Sequence, residues 1–207
     1  MSHQPFDYEQ ASMESLRARA ALLDVEAMNS LGWRYGQGEG VQVDRAEANR
    51  WYAQSAALGN AEGLYNYGVR HVNGDLGRID PVEACRLWHQ AAAKNHACAM
   101  GNLCISFMHG NGVPQDYAQA RAWALRSANT DEPRAMALMG NFYHQGLGTP
   151  VDKIEAMAWY MLSIDRTPDA APAMRVLMRE IGPAGLARAQ ARASELRKDI
   201  RPSTHHD

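Results

Sequence analysis

Apolar and small residues fall along this chain in two rhythms, a short step of four residues within a segment and a long step of 36 between segments. In the first segment Ala27, Leu31 and Tyr35 stand four apart, which puts them on one face of a helix. A second stripe, Ala48, Trp51, Tyr52, Ser55 and Ala56, follows the spacing of a helix that buries one side. Between them lies Gly38-Glu39-Gly40-Val41, where glycines can take positive φ and end the first helix. The pattern predicts helix, glycine turn, helix.

The unit then recurs. Gly38, Gly74, Gly110 and Gly146 are 36 residues apart, as are Asp44, Asp80, Asp116 and Asp152, and Ala48, Ala84, Ala120 and Ala156. Trp51, Leu87, Trp123 and Trp159 keep the same step, and so do Tyr35, His71, Phe107 and Tyr143. Several registers agreeing over four copies mark a repeat array. Each aspartate stands where the second helix needs an N-cap, its carboxylate free to accept orphan amides. Pro81 follows Asp80 at the first helical position, where proline is tolerated. The four aspartates are therefore expected to be structural rather than a catalytic pair. Gly32, Gly68, Cys104 and Gly140 fall mid-helix, which predicts a close approach of two helices there. Trp51, Trp88, Trp123 and Trp159 are expected in the core, because a lone helix pair buries too little and must stack on its neighbours.

The ends read as caps. Residues 1–23 are expected to form a tail and a lone second helix, with Ala11, Ala20 and Ala21 echoing Ala48, Ala56 and Ala57. The repeats occupy about 24–59, 60–95, 96–131 and 132–167. Capping helices are expected over 168–201: one through Ile181, a break at Gly182-Pro183, then a basic amphipathic helix to about Asp199. Leu186, Ala189, Ala193 and Leu196 form its apolar stripe, with Arg188, Arg192, Arg197 and Lys198 outside it. The tail over 202–207, with His205-His206, is expected to be disordered.

Charge and composition narrow the function classes. A formal net charge of −2 gives no global case for nucleic acid or an anionic membrane. The three cysteines, Cys85, Cys98 and Cys104, lack CxxC spacing, which argues against a disulfide framework and a zinc site. No basic start precedes an apolar run, and no stretch is apolar for the length of a bilayer, so a cytoplasmic protein is expected.

The string Ala27…Leu31-Gly32…Tyr35…Gly38-x-Gly40-Val41…Asp44…Ala48…Trp51-Tyr52…Ala56-Ala57…Gly59 resembles the Sel-one-like repeat family, a relative of the tetratricopeptide repeat. The second copy departs most: Leu76 replaces the second turn glycine, His71 the tyrosine, and Trp88 follows Leu87. The fourth copy has Ile164 and Asp165 in place of the alanine pair. The resemblance implies an all-α fold, a right-handed superhelical solenoid of about four helix-turn-helix repeats with helical caps. It also implies a non-catalytic adaptor or scaffold that binds a protein or peptide segment on the concave face, with no cofactor. A monomer, or a weak homodimer through the C-terminal helix, is expected.

First-helix residues off the buried stripe are the candidates for partner contact: Asn29, Trp33 and Gln37, then Tyr65, Val69 and Asn73, then Gly101, Ile105 and His109, then Ala137, Asn141 and Gln145. Asn29, Trp33, Gln37, Tyr65, Asn73, His109, Asn141 and Gln145 carry the expectation. Amides donate to and accept from a peptide backbone, and Trp33 and Tyr65 are the aromatic anchors that hot spots favour. With no ladder of lysine or arginine, capture of an acidic tail is disfavoured. Two other readings compete. A regulatory or immunity protein would use the same face against a neighbouring enzyme or toxin. A hydrolase or metal-dependent enzyme would draw on His71, His109 and His144, yet their registers differ and no nucleophile elbow, HExxH or phosphate loop occurs. No metal site is expected.

Overall fold

The structure is a computed structural model and describes residues 6–200. Among these residues it holds ten α-helices, one short 3-10 turn and no strand. The chain divides into two compact units, Met1–His96 and Ala97–Asp207. Unit 1 contains α1 (Met13–Ala21), α2 (Val25–Gln37), α3 (Arg45–Ala57), α4 (Ala61–Asn73) and α5 (Pro81–Ala93). Unit 2 contains α6 (Ala97–His109), α7 (Tyr117–Ala128), α8 (Pro133–Gln145), α9 (Lys153–Ser163), the 3-10 turn Pro168–Ala170 and α10 (Ala171–Asp199). The tail expected over 202–207 lies outside the described residues.

The 36-residue registers are joined by backbone bonds. The amide of Asp44 donates to Tyr35 O at 2.9 Å, and Asp80 to His71, Asp116 to Phe107 and Asp152 to Tyr143 do the same at 2.9 Å. Each aspartate then turns its carboxylate to the start of the second helix. Asp44 accepts from Glu47 N at 2.9 Å, Asp80 from Glu83 N at 3.0 Å, Asp116 from Gln119 N and Asp152 from Glu155 N, both at 3.0 Å. The turn is possible because Gly38, Gly74, Gly110 and Gly146 all take φ between 71° and 79°, where a Cβ is strained. In the second copy, where Leu76 replaces a glycine, Gly77 takes φ 85° one residue later. The turn shifts and the helix pair survives.

Packing depth follows the helix face rather than the tryptophan register. Trp88 and Trp159 are buried, whereas Trp51 and Trp123 are only half-buried. The deeper register is the next one, Tyr52, Trp88, Ala124 and Tyr160. A Cβ built on Gly32 would stand 2.8 Å from Tyr52 Cε1, one on Gly68 2.9 Å from Trp88 Cδ1, and one on Gly140 2.9 Å from Tyr160 Cγ. The third copy inverts the sizes: Cys104 replaces glycine, Ala124 replaces the ring, and both are fully buried in one core cluster. The mid-helix small residue is thus the seat for the aromatic ring of the second helix.

The caps differ in detail from the sequence expectation. The leading helix begins only at Met13, with Ser12 as its N-cap, and buries Leu16 and Ala20. In α10 the helix is interrupted at Gly182 (φ 63°, ψ −175°), where the Gly-Pro pair predicts a break. Two of its basic residues are used within unit 2. Arg192 forms a two-pronged pair with Glu155, at 2.7 and 3.1 Å, and Arg197 reaches Asp131 Oδ1 at 2.9 Å. Arg166 meets the same Asp131 oxygen at 2.9 Å. No helix among the described residues is long and apolar enough to cross a membrane.

Candidate functional site

In unit 1, residues of α2, α3 and α4, the turn residue Glu39 and residues 8–10 ahead of α1 line a cavity of about 490 Å³. Its walls are Tyr8, Glu9, Gln10, Asn29, Ser30, Trp33, Arg34, Glu39, Tyr52, Glu62 and Asn66. That volume lies within the range of about 300–1,000 Å³ usual for ligand pockets. Trp33 of α2 is among the lining residues and is 48% exposed.

The segment over residues 8–11 is held by a buried cation. Arg34 donates from Nη1 to Ala11 O at 2.5 Å and from Nη2 to Tyr8 O at 3.3 Å and to Glu9 O. Tyr8 in turn donates its hydroxyl to Asp24 Oδ2 at 3.0 Å, and Arg19 Nε meets the same carboxylate at 2.6 Å. Asp24 also caps α2 by accepting from Ala27 N at 3.1 Å. Burial works against the Asp24 charge, yet the Ala27 amide, Arg19 and Tyr8 together hold its carboxyl below the usual aspartate range. On the α4 wall Glu62 accepts from Asn66 Nδ2 at 2.6 Å and faces His96 Nε2 at 2.9 Å.

The candidate residues divide between the units. In unit 1, Asn29 and Trp33 line the cavity. Asn29 is buried, its Nδ2 donating to Asn60 Oδ1 at 2.9 Å, where Asn60 is also the N-cap of α4. Gln37 and Asn73 are exposed at the last positions of α2 and α4. Tyr65 is half-buried and stacks on His96 with ring centroids 4.7 Å apart. In unit 2, His109 and Gln145 are exposed at the ends of α6 and α8, and Asn141 Oδ1 accepts from the Tyr160 hydroxyl at 2.6 Å. Among the described residues no three His, Cys, Asp or Glu side chains converge to hold a metal ion. Tyr8, Glu9 and Arg34 were not legible as site residues, because the fold of residues 8–11 onto α2 brings them together and no spacing encodes it.

The Sel1 repeat family model matches residues 25–60, 61–96, 99–129 and 133–166, so it covers more than half of the chain. The chain belongs to the Sel1 repeat family. Two solved structures are similar to this Sel1 repeat chain. One is c5321 from uropathogenic Escherichia coli, described as a protective antigen displaying an SLR fold, at 25% identity and a TM-score of 0.83. The match covers 91% of this chain and 41% of that one, so the chain spans well under two thirds of c5321. The other is a Sel1 repeat protein from Oxalobacter formigenes, at 28% identity and a TM-score of 0.72, covering 91% of this chain and 79% of that one. No curated protein matches the sequence. The repeat boundaries of the family match fall on the helix pairs α2–α3, α4–α5, α6–α7 and α8–α9.

Proposed function

We propose that this chain is a non-catalytic interaction scaffold that holds a segment of another protein against α2 and α4 of unit 1, with the unit 1 cavity as anchor point. Sel1 repeat proteins generally mediate protein–protein interaction, and their fold is typically a non-enzymatic scaffold. The observation that carries the reading here is Trp33, an indole half-exposed in the lining of the unit 1 cavity. Aromatic side chains placed this way supply large contact area at low entropic cost and dominate interface energetics. The exposed amides of Gln37 and Asn73, at the last positions of α2 and α4, suit a peptide backbone. The C-terminal helix serves in this reading as a cap, since Arg192 and Arg197 are already paired within unit 2.

The test is affinity capture with the parent chain and with a Trp33→Ala/Tyr65→Ala variant, followed by a binding titration of each protein recovered. A partner held by the parent should bind the variant at least about 30-fold more weakly, the loss expected of a hot spot. Equal affinity for parent and variant contradicts the reading.

A further inference from the structure

We propose that the unit 1 cavity takes a cationic side chain, a lysine or an arginine, from the bound segment. The inference rests on the scaffold reading and adds the chemistry of the anchor.

The first observation is an unanswered hydroxyl. Tyr52 is 4% exposed and lines the cavity, and among the described residues nothing hydrogen-bonds its oxygen. The equivalent ring one hundred and eight residues on is Tyr160, whose hydroxyl is satisfied by Asn141 Oδ1 at 2.6 Å. At the position equivalent to Asn141 unit 1 carries Trp33, which has no acceptor to offer. The internal partner has been replaced by an aromatic wall, and the hydroxyl is left to the cavity. Burial pushes Tyr52 up to about 12, so the phenol keeps its proton and its oxygen lone pairs can accept from an N–H donor.

Charge decides which donor. Glu9 and Glu39 line the cavity and make no ion pair among the described residues. Glu62 adds a third carboxylate on the opposite wall. The one cation in the lining, Arg34, spends its donors on the carbonyls of Tyr8, Glu9 and Ala11 and holds the wall in place. A carboxylate or phosphate entering here would meet two unpaired carboxylates. A guanidinium or ammonium would meet their opposite charge, the Tyr52 oxygen, and the Trp33 ring as a surface for its stem or for cation–π contact.

The test is a selection of random displayed peptides on the full chain, followed by titration of the winners. Support consists of winners that share a lysine or arginine and lose at least about tenfold in affinity when that residue becomes norleucine or citrulline. Glu9→Gln/Glu39→Gln should weaken the same peptides to a similar degree with an unchanged melting temperature. Tyr52→Phe should weaken them severalfold without lowering that temperature, because it removes a cavity-lining hydroxyl that has no partner in the fold. Winners that bind without a cation, or that are indifferent to Glu9→Gln/Glu39→Gln, overturn the cationic anchor and leave the scaffold reading standing. A selection that yields no binders overturns both.

Discussion

The ring of Tyr160 lies in the space that a Cβ on Gly140 would need, with Tyr160 Cγ only 2.9 Å from that position. The same fit joins Tyr52 to Gly32 and Trp88 to Gly68, and in the third copy the large and small partners trade places as Ala124 and Cys104. The pair is what seats the second helix on the first. Its glycine is kept for space and not for backbone freedom, since α2, α4 and α8 run through these positions as ordinary helix.

Gly140→Ala is therefore expected to destabilise the chain by about 1–3 kcal/mol, the usual cost of overpacking a core. Gly101 is the control. It is also mid-helix, but a Cβ there meets nothing within 4 Å, so Gly101→Ala should stabilise by about 0.5–1 kcal/mol through helix propensity alone. Denaturant unfolding of the two variants should move the midpoint in opposite directions. Movement in the same direction refutes the seating role.

Asp24 links the cap of α2 to Arg19 and Tyr8, and its carboxyl is held low in the folded state. A depressed pKa contributes stability above the unfolded value, about 3.9, that is lost as pH falls through the folded value. Asp24→Asn keeps a capping oxygen and removes the charge. The variant should be less stable than the parent at neutral pH, and the gap should close as the pH drops below about 4. A gap independent of pH between 3 and 7 would show that the charge contributes nothing.

The cysteines report on packing. Burial pushes the Cys104 thiol up to about 12, and Cys85 is also buried, whereas Cys98 is exposed. A thiol reagent applied to the native chain should modify Cys98 first, and Cys85 and Cys104 only on unfolding. Mass mapping that finds Cys104 modified as fast as Cys98 contradicts the described core.

Local chemistry made most of the fold legible. Gly38, Asp44 and their equivalents act within one turn and one cap, so their 36-residue spacing predicts the elements directly. Depth was harder, because whether Trp51 or Tyr52 goes inward depends on which of them faces Gly32, a matter between helices. The site was legible only in part. Trp33 follows from its place off the buried stripe. Asn29 follows from the same rule but is drawn into the cap of α4 by Asn60. Arg34 had no sequence signal of its own, since its burial comes from the carbonyls of residues 8, 9 and 11 that it holds.

The most direct measurement of the proposed function places a photo-crosslinking amino acid at Trp33 and, in a second protein, at the exposed Arg188 of the C-terminal helix. The partner recovered by capture should be crosslinked from position 33 and not from position 188. Crosslinking from 188 alone would contradict the account and move the binding surface to the C-terminal helix.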